Sequence, residues 1–591
     1  MRRNEEEGET LFLDVSSDFL AIVDSAGSRT TSSSARTKTL IAMDNRIKLD
    51  KPAGGVIPHP SDQFMYESDD QIVIAIDFGT TFTGAAYAFL DDENPRVVGV
   101  DIWPGLTEKQ PKIPTILSYN GSGGSFTWGA QAHHGRMIRG IKLLLDPTQA
   151  MPSYVPAWIL KSNLERLGKP SVGVAADFIR TIYEYAARKA GFYPVTLVKE
   201  PEAAALYALT EFKERGLANG DAFVICDSGG GTVDLISYEI VQLDPRLELK
   251  ELVPGTGCMA GSLNLNNRFQ EKVKELVGEA QFNDPMNSRG FRFAWEQFET
   301  SVKRDFLGLG DRANYLHFLG AKLKDDEPKG LENNCWIMKS AGLKEIFDPI
   351  IADIKVKVHE QVQEVMKKRL SENHPKAEKI KAILLVGGFG SSKYLKSQLV
   401  LDHPAIQVIQ PHDAWSAIVM GAVLTRLPQK VMVVSAQATR HYGVSAHRTY
   451  DDVEYIGYPK FMNAYGKWKT SRMTWYIERG EDLQRPQKIK FWFYRILHKL
   501  SDETLTFKET LHHYELVDAP VRPGPTVAVN CSLKVDLRGV DRTTIRKKID
   551  RFGDQCWDVH FDLVVTINSA IMIFSLEYNG EEIGSVEAKY D

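Results

Sequence analysis

The sequence predicts a mixed α/β fold followed by a β-rich C-terminal domain. Three observations predict it: two hairpins of apolar strands with glycine-rich tips, helical stripes between and after them, and short alternating strands from about residue 429 onward. A chain of 591 residues is long enough to bury more than one hydrophobic core. We therefore expect roughly two to four domains.

Charge and composition exclude several classes of protein. The 72 Lys and Arg residues against 77 Asp and Glu give a net charge of -5, which offers no long-range attraction for nucleic acid or anionic membrane. Five scattered cysteines without a C-x-x-C pair indicate neither a disulfide framework nor a zinc site. The opening MRRNEEEGE does not read as a leader, and no run reaches the ~18 apolar residues of a membrane span. We expect a soluble protein of the cytoplasm or nucleus.

Order is predicted to begin at residue 71. Residues 1–70 are polar and lack periodicity, so we expect a disordered tail in which LFLDV and FLAIV form at most a transient helix or strand. IVIAIDFGTTFTGAAYAFL then predicts a strand, a tight turn and a returning strand. AFVICDSGGGTVDLISYEI repeats this design about 150 positions later.

Helices and further strands follow. AADFIRTIYEYAARKAGF predicts a helix that ends at Gly191, and VTLVKEPEAAALYALTEFKERG predicts a strand, a turn at Pro201 and a helix closed by Gly216. An i, i+4 stripe over residues 346–362 predicts a long helix that leads into AILLVGGFGSSKYLKSQL, a strand and a helix. Near the C terminus, Asn579-Gly580 predicts a hairpin turn.

The two glycine turns predict phosphate binding. Glycines at a strand end let backbone N–H groups approach an anion closely, and threonine hydroxyls add donors. The candidates are Gly79, Thr80 and Thr81 in the first turn and Gly229, Gly230, Gly231 and Thr232 in the second. For either turn alone, a purely structural hairpin is the alternative.

Carboxylates accompany both turns. Asp77 and Asp227 each end an apolar strand immediately before the glycines. Two carboxylates beside a polyphosphate require a cation, and Mg²⁺ prefers oxygen ligands and keeps several waters, so we expect both to hold Mg²⁺ through water. Asp234 and Glu200 are candidates to orient an attacking water, with an ordinary turn acid as the alternative for Asp234.

Five segments in order carry a family resemblance: IAIDFGTTFTG, VKEPEAAALYAL, ICDSGGGTVDLISYEI, ILLVGGFGSSKYLKSQL and HDAWSAIVMGAVL. They resemble the phosphate, connecting and adenosine segments of the actin-like ATPase superfamily, and most closely the divergent cytosolic branch of the seventy-kilodalton heat-shock chaperones. The resemblance implies a two-lobed actin-like ATPase fold with an interlobe nucleotide cleft. Lobe I would span about 71–220 and 381–428, lobe II about 221–380, and a degenerate substrate-binding-like β-rich domain 429–591.

The resemblance also implies ATP or ADP with Mg²⁺ as ligands. It makes Asp77 and Asp227 the water-mediated magnesium partners, Thr232 the γ-phosphate contact, and Glu200 and Asp234 the water-ordering acids. The other nucleotide contacts that it implies are Gly261, Glu299, Lys303, Arg304, Gly387, Gly388 and Asp413. For Lys303 and Arg304 a solvated helix face is the alternative.

The chain departs from the family at three places. His133, followed by His134, stands where the family has a catalytic lysine, with a shifted surface loop as the alternative. The strand with a Thr-Val-Pro signature is absent between Tyr154 and Glu200, which predicts a central gap in the sheet of lobe I: either the lobe is rearranged, or the chain is a variant with damaged folding. No long helical lid follows the β-rich region, so peptide capture under a lid is not expected.

We therefore predict an ATP-binding, chaperone-like protein with weak ATPase activity, and protein partners or clients at the β-rich domain. One alternative is a non-catalytic scaffold or nucleotide sensor that retains the fold. The other is a small-molecule kinase, because actin-like lobes also house such enzymes.

Overall fold

The computed structural model describes residues 19–24, 72–90, 95–119, 125–132, 136–145, 157–187, 195–212, 216–310, 313–427, 431–485, 487–567 and 572–586. The predicted mixed α/β fold with a β-rich C-terminal region is confirmed. Among the helices of these segments, none is both long and apolar enough to cross a membrane.

The elements are numbered in chain order. The strands up to residue 409 are β1 (Phe19–Asp24), β2 (Ile72–Phe78), β3 (Phe82–Phe89), β4 (Val98–Gly99), β5 (Lys112–Pro114), β6 (Ile116–Tyr119), β7 (Phe126–Trp128), β8 (Arg136–Arg139), β9 (Val195–Lys199), β10 (Ala222–Ser228), β11 (Val233–Gln242), β12 (Leu247–Glu251), β13 (Thr256–Cys258), β14 (Ala313–His317), β15 (Leu331–Glu332), β16 (Cys335–Lys339), β17 (Ile380–Val386) and β18 (Gln407–Ile409). The later strands are β19 (Val431–Gln437), β20 (His441–Thr449), β21 (Phe461–Met462), β22 (Trp468–Ile477), β23 (Asp482–Gln484), β24 (Gln487–Leu497), β25 (Thr506–Tyr514), β26 (Ala528–Asp536), β27 (Arg546–Ile549), β28 (Gln555–Ile567), β29 (Met572–Tyr578) and β30 (Glu581–Val586). The α-helices are α1 (Ala157–Leu167), α2 (Ser171–Ala187), α3 (Glu200–Phe212), α4 (Leu263–Phe282), α5 (Ser288–Gln297), α6 (Lys303–Asp305), α7 (Ser340–Ser371), α8 (Lys393–Asp402) and α9 (Ala417–Leu424).

The chain divides into two compact units. The first comprises residues 1–248 and 256–432, and the second residues 249–255 and 433–591. Both glycine hairpins belong to the first unit. The predicted boundaries of the two lobes within it stay a prediction.

The first hairpin lies in a sheet with the strand order β4-β3-β2-β1-β9, and β5 also pairs with β3. β2 and β3 are antiparallel neighbours, as the apolar runs on either side of the turn predicted. Alternate β2 residues such as Ile74 and Ile76 share one hydrophobic core with Phe178 and Ile182 of α2. The helical face predicted around Phe178 therefore packs on this sheet.

β1 corrects the prediction that residues 1–70 form only a disordered tail. Residues 19–24 form a strand between β2 and β9, antiparallel to both. β1 is thus an interior strand, second from the β9 edge of the sheet, and no gap of the kind predicted lies between β2 and β9. The backbone groups of β2 and β9 that would face that gap are paired with β1.

The second hairpin lies in another sheet of the first unit. β10 and β11 are antiparallel, β17 runs parallel to β10, and β18 runs parallel to β17. The predicted long helix is α7, and its stripe residues Ile346, Ile350 and Ile354 are buried. One detail of the prediction was wrong: Pro201 is the second residue of α3, where a missing N–H does not interrupt helical hydrogen bonding. Gly191 lies outside the described residues.

The second unit is dominated by antiparallel strands. One of its sheets has the order β21-β22-β20-β25-β26, and another has β24-β28-β29-β30 with β27 beside β28. Leu511 and Leu533 from the first of these sheets share a hydrophobic core with Phe561 and Phe574 from the second. Asn579 and Gly580 both have positive φ, at 51° and 86°, which confirms the predicted hairpin turn between β29 and β30.

Candidate functional site

The first glycine turn is fixed by a neighbouring threonine. Thr115, which follows β5, donates its hydroxyl to the Gly79 carbonyl at 2.8 Å and its backbone N–H to the Thr81 carbonyl at 2.8 Å. The Thr115 hydroxyl also lies 2.9 Å from that of Thr83. These bonds hold residues 79–81 in one conformation at the end of β2, next to Asp77.

The second glycine turn is fixed by the loop that precedes α4. The bonds run from Gly261 N to Gly231 O (3.0 Å), from Ser262 N to Gly229 O (3.1 Å) and from Leu263 N to Gly230 O (2.8 Å). In a trans peptide the carbonyl and the following N–H point in opposite directions. The N–H groups of residues 230–232 therefore point away from this loop, which is the arrangement of an anion-binding nest.

Gly261 needs to be glycine because the turn packs directly on it. A Cβ at this position would overlap the Gly230 carbonyl and the Gly231 backbone. The structure thus places Gly261 against the second turn, and its predicted contact with a nucleotide stays a prediction. The two turns also meet each other, since a Cβ on Gly231 would lie 2.9 Å from the Thr80 hydroxyl.

Two buried ion pairs lie beside the turns. Lys112 of β5 pairs with Asp77, and Lys142, in a short 3-10 turn (Ile141–Leu144), pairs with Glu200 at 2.5 Å. Lys112 is 5% exposed, Asp77 1%, Lys142 6% and Glu200 9%. Burying an unpaired charge costs several kcal/mol, so each of these lysines is stabilised by the carboxylate beside it.

The pKa of Glu200 is affected by the two neighbouring acids, Asp77 and Asp227. Burial raises the pKa of Glu200 well above its ordinary value, and the negative charges of Asp77 and Asp227 raise it further, whereas Lys142 lowers it. Asp77, Glu200 and Asp227 therefore form one electrostatic group, although they come from β2, α3 and β10.

Asp227 and Asp234 lie on adjacent strands. They are register partners across β10 and β11, so their side chains share one face of the sheet. Thr232 donates its hydroxyl to Asp234 at 2.9 Å. Gly387, at the end of β17, packs on the same place, because a Cβ there would lie 2.6 Å from the Ser228 carbonyl and would meet the Asp227 carboxylate.

The residues predicted to surround the adenosine, Glu299, Lys303 and Arg304, lie together and are called the base-side group. Lys303 is buried and donates to Glu299 at 2.9 Å and to Asn266 of α4 at 3.0 Å, and burial lowers its pKa. Lys303 is therefore not part of a solvated helix face. Arg304 is exposed, and its guanidinium carbon lies 5.6 Å from the ring centre of Trp415.

Trp415 connects the base-side group to the glycine turns. A Cβ on Gly388 would lie 3.3 Å from the Trp415 indole nitrogen, and Phe82, directly after the first turn, packs edge-on to the indole at 5.2 Å. Asp413 is exposed and lies 3.5 Å from the Tyr207 hydroxyl. The structure thus brings Arg304 and Gly388 together at Trp415, and leaves Asp413 outside the buried acids.

Sequence reasoning missed Lys112, Lys142 and Trp415. Both lysines are embedded in apolar runs, PKIPTIL and GIKLLL, where a charge predicts burial beside a carboxylate. The sequence therefore carries a signal for both lysines. His133, the residue predicted in place of the family's lysine, lies outside the described residues. A lysine is nevertheless present beside the acids, since Lys142 pairs with Glu200.

The side chains around the two turns offer few ligands for Mg²⁺. Within the described segments, no cluster of three or more His, Cys, Asp or Glu side chains could hold a metal ion by itself. Carboxylate oxygens beside two glycine-threonine turns fit a Mg²⁺ ion whose other ligands are phosphate and water oxygens. Asp227 lies just before the second turn, and Asp77 is paired with Lys112.

The structure brings the two glycine turns together beside the buried acids, and it places Arg304 and Gly388 at Trp415. Distant homology over about half of the chain supports a relationship to the seventy-kilodalton heat-shock-like proteins of the actin-like ATPase superfamily.

The relatives are distant. The chain is 24% identical over 365 residues to "Heat shock 70 kDa protein 12A" of Homo sapiens, a match that covers 57% of this chain and 51% of the relative, and it matches the Mus musculus protein of that name equally. It is 25% identical over 247 residues to "Heat shock 70 kDa protein 12B" of Homo sapiens, covering 38% of this chain and 34% of the relative. The chain thus spans about half the length of the 12A proteins. Residues 218–394 match a family described as "Domain of unknown function (DUF8340)", which includes the second glycine turn.

Proposed function

We propose that this chain is an ATP-binding protein of the seventy-kilodalton heat-shock-like type, which binds Mg-ATP between two lobes and hydrolyses it slowly to ADP and phosphate. The observation that carries the proposal is the meeting of two glycine-threonine turns over one group of buried acids and lysines. A hairpin turn with a purely structural role does not need to contact a turn from another sheet. It also does not need buried charged side chains beneath it.

The turns would hold the phosphates. N–H groups of residues 230–232 and the hydroxyls of Thr80 and Thr81 supply donors from two sides. Lys142 is the cation best placed to offset charge on the transferring phosphate, the role for which the sequence had offered only His133. When bound, Mg²⁺ would add charge neutralisation, with Asp227 as its carboxylate partner.

The acids would act on water. Asp234, held by the Thr232 hydroxyl, and Glu200, held by Lys142, are positioned to accept hydrogen bonds from a water that attacks the γ-phosphorus as the bond to ADP breaks. Because Lys142 already holds Glu200, this carboxylate has less freedom to orient a water, and we expect slow hydrolysis.

A nucleotide sensor is the second candidate. One observation favours it: lysines already pair with Asp77 and Glu200. Carboxylates held in this way can line a nucleotide-binding site without taking part in hydrolysis. Such a protein would bind ATP tightly and release no phosphate. The base-side group, with Arg304 over Trp415, serves either candidate.

Calorimetry and a phosphate-release assay on the full chain test the proposal. Wild type should bind Mg-ATP, and Asp227→Asn should lose phosphate release. Glu364→Gln, which alters a 61% exposed carboxylate on α7, is the matched control and should behave as wild type. Binding without any release in wild type would favour the sensor. A folded chain that ignores ATP would refute both candidates.

A further inference from the structure

Three residues on adjacent strands form a row beneath the first glycine turn. Asp77 of β2 is the register partner of Gly84 of β3, and Gly84 is in turn the partner of Lys112 of β5. Register partners project to the same face of a sheet, about 5 Å apart. Asp77 and Lys112 therefore stand on one face with a glycine between them.

Gly84 makes the contact between these charges possible. A Cβ at this position would lie 3.2 Å from Cγ and 3.4 Å from Cε of Lys112. The lysine stem thus lies flat over the glycine, and its ammonium reaches Asp77. A larger residue in β3 would push the stem aside and separate the pair.

The row places the Lys112 side chain beside the Asp77 carboxylate, next to the first glycine turn. Lys112 and Asp77 are both buried, and Asp77 stands at the end of β2, immediately before Gly79, Thr80 and Thr81. An ammonium held there by the strand register is a cation that belongs to the protein, and it does the charge-neutralising work for which Asp77 would otherwise need Mg²⁺.

We propose that Lys112 is a built-in cation of the nucleotide site, which reduces the need for a divalent ion when the chain binds a nucleoside triphosphate. The inference rests on the proposed function. It changes the role expected of Asp77, which positions Lys112 and leaves Asp227 as the carboxylate that faces any bound metal.

The test compares ATP binding with Mg²⁺ and with EDTA, by calorimetry on the full chain. For wild type, removing the metal should weaken binding by no more than about tenfold. Lys112→Met should bind ATP at least ~30-fold more weakly than wild type in EDTA, because it leaves the Asp77 carboxylate unpaired beside the bound phosphates, and like charges at close range repel. Lys112→Arg, which keeps the charge, should stay close to wild type.

Lys109→Met is the matched control, because Lys109 is 71% exposed and pairs with Asp101 at the surface. It should show the wild-type ratio of the two affinities. Wild-type binding only in Mg²⁺, with a loss above about a hundredfold in EDTA, would overturn the inference alone. No binding in either buffer would overturn the proposed function and this inference with it. The wild-type comparison decides the matter even if circular dichroism shows that Lys112→Met does not fold.

Discussion

Replacing Ile22 by proline should destabilise the first unit, because β1 is an interior strand that pairs on both sides. Four residue pairs join β1 to β2 and five join it to β9, and Ile22 pairs with Ala75 on one side and Thr196 on the other. With neighbours on both sides, the N–H of Ile22 points at one of them. Proline has no N–H, and its ring does not fit the interior of a sheet.

The expected cost follows from the backbone bonds. Proline removes one ladder hydrogen bond, a loss of about 1 kcal/mol, and leaves a buried carbonyl of the partner strand unsatisfied, a further ~1–3 kcal/mol. A loss of ~2–4 kcal/mol is a large fraction of the ~5–15 kcal/mol that stabilises a typical domain. With a urea dependence near 3 kcal/mol per molar, the unfolding midpoint should fall by about 1 M.

Urea unfolding followed by circular dichroism, together with ATP calorimetry, measures the effect. Ser33→Pro, in the polar run SRTTSSSARTKT, serves as the control and should change neither quantity. An Ile22→Pro protein with the wild-type midpoint and ATP affinity would show that β1 is not part of the stable sheet, and would refute the reasoning.

Three further predictions concern the site. Trp415→Ala should weaken ATP binding about 10- to 100-fold in calorimetry, because stacking a base on an aromatic ring contributes ~1–3 kcal/mol, and should spare tripolyphosphate binding; equal losses for both ligands would exclude a base contact. Gly261→Ala should lower both the melting temperature and ATP affinity, because its Cβ overlaps the Gly230 carbonyl, whereas Gly539→Ala, with open space around it, should change neither. Burial raises the pKa of the Cys258 thiol from 9.0 to about 11, and nearby Asp234 adds to the effect. Its alkylation at pH 8, followed by mass spectrometry, should therefore be about a hundredfold slower than that of an ordinary cysteine and rise about tenfold per pH unit up to pH 10; an ordinary rate at pH 8 would contradict this.

Local patterns allowed several elements of both units to be predicted. Both hairpins and the α7 stripe in the first unit, and the turn at Asn579 in the second, depend on residues adjacent in sequence, and the structure has them where the apolar periodicity and glycines indicated. The packing of Gly261 and Gly387 on the second turn was not predicted, because it depends on contacts between distant segments. The convergence of the acids required the order of motifs along the chain, which only the family resemblance supplied.

Non-local pairing explains what was missed. FLAIV is a short apolar run whose partner strands begin at residues 72 and 195, and nothing in its letters says that it inserts between them. The apolar runs around Lys112 and Lys142 indicate that each lysine is buried beside a carboxylate, but non-local packing decides which carboxylate it meets. Trp415 likewise acquires a role only when the ends of separate elements meet.

Helix α4 joins the two halves of the candidate site into one mechanical element. The backbone N–H of its first residue, Leu263, donates to the Gly230 carbonyl of the second glycine turn. Asn266, one helical turn further, accepts a hydrogen bond from Lys303. Phe269 then stacks on Phe298, the residue before Glu299, with ring centres 4.2 Å apart. A shift of the second glycine turn would therefore move α4 as a rigid helix, and α4 would carry the shift to Lys303 and Glu299. Under the proposed function, loss of the terminal phosphate would shift α4 and with it the residues around Lys303, which lets the chain distinguish a triphosphate from a diphosphate.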